Sequence, residues 1–182
     1  MEDRALLEDL EQLITRALDL LYKNDNTLIC EKAACLKQGN GGYEYVGERA
    51  IVFRLAHYMQ LLMYDHPAFI DLVVDCEYNR HLKECKKLPK YGTAIPDIII
   101  HKRRNDENNW LVLECKTHWN GNTEEDKKKL REFTLPKDRQ NDDTFKFGYK
   151  YGLSLVFEKK RENVKTTWFR NGEKYPAKED KQ

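Results

Sequence analysis

Residues 91–118 have the sequence YGTAIPDIIIHKRRNDENNWLVLECKTH, in which two apolar runs flank a polar, charged segment. The runs, residues 98–100 and 110–113, are short and rich in β-branched and aromatic side chains. Runs of this kind on either side of a polar turn predict the two strands of a buried hairpin. We take this hairpin as the centre of the fold.

The hairpin carries charged residues at the end where its two strands meet. Asp97 comes just before the first run, and Glu114 follows the second. Because the start of one antiparallel strand lies beside the end of the other, we expect these two carboxylates to be neighbours. Lys116 points to the same side of the sheet as Glu114, whereas Cys115 faces the opposite side, into the core. The sequence therefore predicts two acids and a lysine at one edge of a sheet.

Length and composition indicate one densely charged domain. The chain has 182 residues, without an internal repeat or a convincing boundary, so we expect a single domain over residues 1–182. Charged residues make up 35%, well above the roughly 25% of an average soluble protein. The net charge is only +1, which excludes a global field that would attract nucleic acid or membrane. An anion-binding surface has to be local.

Targeting signals and cysteine usage predict a cytoplasmic protein. No apolar run approaches the roughly 20 residues needed to cross a bilayer, and the acidic, amphipathic N-terminus is unlike a signal peptide. The five cysteines lack the spacing of a disulfide scaffold, which is typical of reduced thiols. We expect no membrane association.

Helical and strand periodicities surround the hairpin. The apolar stripe of the first helix predicts packing, with dimerisation as the alternative. The predicted helices are residues 2–22, residues 46 or 47 to 64, and residues 124 to about 133. The other predicted strands are residues 69–78, 147–158 and 164–169, and a flexible tail is expected at 173–182.

This arrangement resembles the PD-(D/E)xK nuclease superfamily. The resemblance is carried by a helix, then Pro96-Asp97, then Glu114-Cys115-Lys116 at the end of the next strand. It covers residues 44–158 and leaves residues 1–26 as an additional N-terminal helix. The strings DCEYNR, PDIIIHKRR and WLVLECK further resemble small bacterial members of unassigned function. The resemblance implies an α/β, restriction-endonuclease-like core, with a central mixed β-sheet flanked by helices in the order αβββαβ.

The resemblance also implies a site for Mg²⁺ or Mn²⁺. Asp97 and Glu114 would be ligands, with the carbonyl of Cys115 as a third, in keeping with the preference of Mg²⁺ for oxygen. Lys116 would orient the attacking water or offset charge on the phosphate, and a lowered pKa would let it act as a general base. Glu48 matches the further acid of the superfamily, as a ligand to a second ion or through water.

Each of these residues also has a structural interpretation. Asp97 could cap a turn, while Glu114 and Lys116 form an exposed ion pair worth about 0–1 kcal/mol. Glu48 could simply favour the dipole of the second helix. Glu44 is a weaker candidate for the further acid, because it lies outside that helix.

A basic patch on the helix after the hairpin is a candidate nucleic-acid contact. Lys127, Lys128 and Arg131 are suited to backbone phosphates. The alternative is a solvated face, balanced by the acids of the first turn of that helix.

The resemblance implies a metal-dependent nuclease, most simply a DNA endonuclease in phage defence, restriction or repair. The alternatives are a catalytically inactive, nuclease-like binding or regulatory subunit, and an enzyme that cleaves RNA or nucleotides. The expected partner is nucleic acid, DNA foremost. A homodimer, or a partner protein that supplies specificity, is expected as well.

Overall fold

The computed structural model describes residues 2–35, 42–88, 91–137 and 147–175. The α-helices are α1 (Glu2–Asn24), α2 (Thr27–Cys30), α3 (Glu48–Met63) and α4 (Glu124–Phe133). The strands are β1 (Lys32–Cys35), β2 (Gly42–Tyr45), β3 (Val73–Cys76), β4 (Arg80–His81), β5 (Glu84–Cys85), β6 (Lys87–Leu88), β7 (Gly92–Thr93), β8 (Ile98–His101), β9 (Asn109–Thr117), β10 (Tyr151–Phe157), β11 (Lys165–Arg170) and β12 (Glu173–Tyr175). Short 3₁₀ helices span Pro67–Phe69 and Arg161–Asn163.

Six strands form the central sheet, in the order β12-β11-β10-β9-β8-β3. β9 and β10 are parallel, and the other neighbouring pairs are antiparallel. The parallel pair is joined by α4, since parallel neighbours need a crossover connection. The protein is therefore α/β, with a mixed sheet flanked by helices, as predicted.

The predicted hairpin is confirmed as β8 and β9. Ile98 lies opposite Leu113, and Ile100 lies opposite Leu111. The three isoleucines of β8 are buried, as the apolar run predicts, and His101 at the end of the strand is buried as well. One step beyond the Ile98–Leu113 pair, this register places Asp97 beside Glu114.

The two faces of the sheet carry separate cores. Leu111, Leu113 and Cys115 of β9 pack with α1 and α3. Val112 belongs to the core on the α4 side, with Leu130 and other residues. Because side chains alternate along a strand, Glu114 and Lys116 also face the α4 side. The charged end of β9 therefore lies under a helix.

The apolar stripe of α1 is buried within the chain, where it packs on α3. The buried residues of the stripe are Leu6, Leu7, Leu10, Leu13, Ile14, Ala17, Leu18 and Leu21. Asp25, just after α1, accepts hydrogen bonds from Arg54 at 3.0 Å and from Tyr58 at 2.6 Å. The predicted packing role is confirmed, and this face is not available for dimerisation.

The predicted strand at residues 69–78 is wrong in its first half. Pro67–Phe69 forms a 3₁₀ helix, and the strand is confined to Val73–Cys76. Asp71 has a φ of 68°, in the left-handed region, which interrupts extended backbone before β3.

The predicted strand at residues 147–158 begins only at Tyr151. Gly148 has a φ of 54°, which a side chain would rarely tolerate, and it turns the chain just before the strand. Phe147 and Tyr149 consequently pack on the α4 side, whereas Tyr151 packs on the other face of the sheet.

The other predicted boundaries shift by a few residues. The helix predicted from residue 46 or 47 to residue 64 is α3, which begins at Glu48 and ends at Met63. The prediction of a flexible tail is wrong for Glu173–Tyr175, which forms the edge strand β12, and residues 176–182 lie outside the described residues. In the described ranges, no helix combines the length and apolar character needed to cross a membrane.

The charged segment between β3 and β8 is fixed to the α4 side by a buried lysine. Lys86 donates hydrogen bonds to the hydroxyl of Tyr149 at 2.8 Å and to the carbonyl of Tyr78 at 3.3 Å. Its ammonium also lies over the rings of both tyrosines. Burial lowers the pKa of Lys86 to about 7.

Candidate functional site

Asp97 closes the open end of the hairpin. Its Oδ2 accepts a hydrogen bond of 2.7 Å from the backbone N–H of Cys115. Burial raises the pKa of Asp97 to about 6, although the N–H of Cys115 and the charge of Lys116 act in the opposite direction. Asp97 therefore sits where its negative charge is poorly solvated and has one firm donor.

Glu114 is the most deeply buried acid of the site, with 4% of its surface exposed. Its Oε1 has no hydrogen-bond partner within the described part of the chain. Burial, and then the neighbouring carboxylate of Asp97, raise the pKa of Glu114 well above its ordinary value. A buried polar atom without a partner costs about 1–3 kcal/mol. A proton or a cation at this oxygen would remove that cost.

Lys116 is held between two carboxylates. Its Nζ lies 3.3 Å from Oε1 of Glu48 and 3.3 Å from Oδ2 of Asp126. Burial acts to lower the pKa of Lys116, but Asp126 and Glu48 outweigh it and the pKa is raised overall. The lowered pKa that a general base would require is not found, and the ammonium form is favoured.

Glu48 ties the start of α3 to the end of β9. Its Oε2 accepts a hydrogen bond of 3.1 Å from the backbone N–H of Thr117, and its Oε1 accepts one from Lys116. As the first residue of α3, it also satisfies the predicted helix-dipole role. The structure thus brings Glu48 together with Lys116 at the edge of the sheet where Asp97 and Glu114 meet.

Asp126 and Lys129 of α4 complete the cluster, and neither was predicted as a site residue from the sequence. Asp126 is buried, and its Oδ1 lies 3.0 Å from Nζ of Lys129. The signal was present, because Asp126 and Lys129 lie on the same helical face as Leu130 and Phe133, which are buried. Only two of the four inward positions are apolar and the other two are charged, so the apolar stripe that identifies a buried face is incomplete.

The residues of the predicted basic patch lie on other faces of α4 than Asp126, since each residue of an α-helix is turned by about 100° from the one before it. Lys127 pairs with Glu124 at 2.8 Å, and Arg131 pairs with Glu173 at 2.7 Å. Lys128 is exposed. These residues do not point at the cluster, and their contact with nucleic acid stays a prediction.

The charge of the cluster favours a cation. The cluster contains four carboxylates and two ammonium groups, which leaves two negative charges uncompensated when all six groups are ionised. Its members are Glu48, Asp97, Glu114, Lys116, Asp126 and Lys129. A divalent cation beside Asp97 and Glu114 would neutralise this excess and give Oε1 of Glu114 a partner.

The donor set fits Mg²⁺ or Mn²⁺ through two carboxylates. Among the residues that the structure describes, no group of three or more His, Cys, Asp or Glu side chains is arranged to hold a metal ion. Mg²⁺ commonly uses one or two carboxylates, with waters and substrate phosphate completing its shell. The N–H and C=O of a strand residue point to the same side, so the carbonyl of Cys115 faces the Asp97 side as well.

A cleft of about 650 Å³ opens beside the cluster. Glu48 and Asp97 line it, together with the first two turns of α3 and the segments that follow β3 and precede β8. The cleft gives the cluster access to a ligand from solvent.

Comparisons of the chain with protein-family models, with curated proteins and with solved structures found no match.

Proposed function

We propose that the protein is a divalent-cation-dependent phosphodiester hydrolase that acts on nucleic acid, DNA foremost, on a restriction-endonuclease-like core. The observation that carries the proposal is the buried Glu114 oxygen, without a partner among the described residues, beside the carboxylate of Asp97. The chain order α3, β3, β8, β9, α4, β10 supports the proposed core.

Asp97 and Glu114 would hold Mg²⁺ or Mn²⁺, with the carbonyl of Cys115 as a further oxygen donor. When bound, such a cation neutralises phosphate charge and lowers the pKa of a coordinated water. The raised pKa values of both acids fit this role, because the site is arranged for more positive charge than the protein itself provides.

Lys116 acts as a cation rather than as a base. Glu48 and Asp126 hold its ammonium in the charged form. From the same side of the sheet as Glu114, it can donate a hydrogen bond to a phosphate oxygen. Water attacks the phosphorus and gives up a proton to solvent, while the P–O bond to the sugar oxygen breaks and that oxygen takes up a proton from solvent. Fixed donors of this kind stabilise charge that develops in the transition state.

Glu48 is proposed as a positioning residue. Its two carboxylate oxygens accept hydrogen bonds from Thr117 and Lys116 at the end of β9. This arrangement favours holding Lys116 in place over direct ligation of a second ion.

The proposal is tested by a cleavage assay with Mg²⁺ and with Mn²⁺ on linear, supercoiled and single-stranded DNA and on RNA. Glu114→Gln and Lys116→Ala should each lower the cleavage rate by about 10²-fold or more, as the loss of a transition-state contact does. Glu125→Gln is the matched control, because Glu125 is exposed on α4. Absence of cleavage, or cleavage that survives both site substitutions, contradicts the proposal.

A non-catalytic binding or regulatory module is the second candidate. It is favoured by the ion pairing of Lys116 and Lys129 within the cluster and by a net charge of only +1. Such a module would bind nucleic acid or a protein without cleaving it and would keep the cluster for stability.

A further inference from the structure

Phe53 exposes 61% of its surface at the cleft beside the acidic cluster. Ile95, which also lines the cleft, is 48% exposed. Val52, one residue before Phe53, is buried and lines the cleft as well. Two large apolar side chains that remain exposed next to a charged cluster give the cleft an apolar part.

The charged groups of the cleft are mostly acidic. Glu48, Asp97 and Glu77 line it, and Arg49 is its basic member. Arg49 pairs with Glu77 at 2.6 Å, which links α3 to the segment after β3. A phosphate would be repelled here unless a cation neutralised the acids, whereas an uncharged planar group would meet the apolar part without this penalty.

The wall of the cleft is fixed to the acidic cluster. Glu77 has a φ of 48°, a left-handed conformation that non-glycine residues seldom adopt. Its backbone N–H donates a hydrogen bond of 3.1 Å to the carbonyl of Asp97. The position of this wall is therefore set by the same residue that provides a carboxylate to the site.

We propose that the cleft is a nucleobase subsite, in which the base of a nucleotide next to the scissile phosphate stacks on Phe53 and contacts Ile95. The inference rests on the proposed function and deepens it, because it names the substrate as single-stranded or locally unpaired nucleic acid. The volume of about 650 Å³ is within the range of about 300–1,000 Å³ for small-ligand sites, so a base with its sugar fits.

Stacking explains why the strand has to be unpaired. A base inside a duplex is already stacked and paired, and taking it out has an energetic cost that is smallest for a single strand. Stacking on an aromatic ring is tolerant of sequence, since every base has a π-face. The subsite therefore selects unpaired structure and not a particular base.

The first test measures binding without cleavage, with Ca²⁺ present to neutralise the acids. The probe is a dye-labelled single strand of about 12 nucleotides, and fluorescence anisotropy gives its Kd. Phe53→Ala should raise the Kd about tenfold. Leu61→Ala is the matched control, because Leu61 is exposed on the same helix at 53% but does not line the cleft. Its Kd should stay within about twofold of the native value.

Three binding results would overturn the subsite. They are no binding of any single strand, equal effects of Phe53→Ala and Leu61→Ala, and tighter binding of the same sequence as a duplex. Each of these results would show that Phe53 is not a stacking surface for an unpaired base.

The second test uses single strands in which one abasic position is moved along the sequence, and it measures kcat/KM. In the native protein, an abasic position at one fixed distance from the cut should lower kcat/KM about as much as Phe53→Ala does on the intact strand. In Phe53→Ala, the same abasic position should have no further effect. Cleavage that is indifferent to both changes overturns the subsite and leaves the hydrolase, whereas stacking-dependent binding without any cleavage supports the subsite and refutes the hydrolase.

Discussion

The ammonium of Lys116 lies 3.3 Å from the carboxylate of Asp126. This contact joins the end of β9 to the first turn of the helix that crosses over to β10. Asp126 is buried and also lies 3.0 Å from the ammonium of Lys129. The crossover helix therefore contributes charge to the site as well as an apolar face to the core.

Asp126→Asn should destabilise the protein, because it leaves two ammonium groups with one fewer counter-charge in a buried place. We expect the free energy of unfolding to fall by about 1–3 kcal/mol, measured by urea denaturation. Glu125→Gln, on the exposed side of the same turn, should change it by less than about 0.5 kcal/mol. Equal effects of the two substitutions would show that the Lys116–Asp126 pair does not stabilise the folded protein.

Glu114→Gln should make the cation-free protein more stable, although it lowers the cleavage rate. Its Oε1 lacks a partner among the described residues, and burial raises the pKa of the carboxyl, so a neutral side chain relieves an unfavourable charge. The free energy of unfolding near neutral pH, measured by urea denaturation without added cation, should therefore be higher than that of the native protein. A loss of stability in this variant would mean that the carboxylate has a partner in solution.

Mg²⁺ or Mn²⁺ should raise the melting temperature of the native protein. A ligand that binds only the folded state at about 100 times its Kd stabilises by about 2.7 kcal/mol. Asp97→Asn should remove the rise, because it takes away one of the two proposed carboxylate ligands, and Glu125→Gln should keep it. If neither cation raises the melting temperature of the native protein, the non-catalytic module becomes the better candidate.

The stability of the protein should rise between pH 7 and pH 10 through Lys86. Burial lowers the pKa of Lys86 to about 7 in the folded state, whereas an unfolded lysine keeps a pKa near 10.4. Between these values the unfolded chain binds more protons, so its free energy rises relative to the folded chain as pH increases. Below pH 7 both states are protonated and the contribution of Lys86 no longer changes.

Lys86→Met tests this dependence by urea denaturation at several pH values. The substitution removes a buried ammonium and keeps an unbranched chain, so it should flatten the rise between pH 7 and pH 10. Lys128→Met is the matched control, because Lys128 is exposed. A rise that persists unchanged in Lys86→Met would assign it to another group.

The centre of the fold was predictable because its evidence is local. Strand periodicity and antiparallel geometry place Asp97 beside Glu114, and the contact of Asp97 with Cys115 agrees with that register. The left-handed backbone at Asp71 was not predictable in the same way, because a non-glycine residue seldom adopts it and tertiary contacts have to impose it.

The rest of the site was harder to predict from the sequence, because it depends on packing between segments that are distant along the chain. Only the packing of α4 on β9 brings Asp126 to Lys116, and no property of either segment alone indicates their distance. The pKa of Lys116 was not predictable from the sequence for the same reason. Its burial and its two carboxylate neighbours act on that pKa in opposite directions. The direction of the change follows from the three-dimensional arrangement.

The bond between Glu48 and the N–H of Thr117 joins residues 69 positions apart. During synthesis, the first half of the chain leaves the ribosome without β9 and α4, so it has the acid of α3 and none of the groups that this acid holds in place. The cluster forms only after α4 has been made and has packed on the sheet. A growing chain that ends before α4 therefore lacks the two charged groups, Asp126 and Lys129, that complete the cluster.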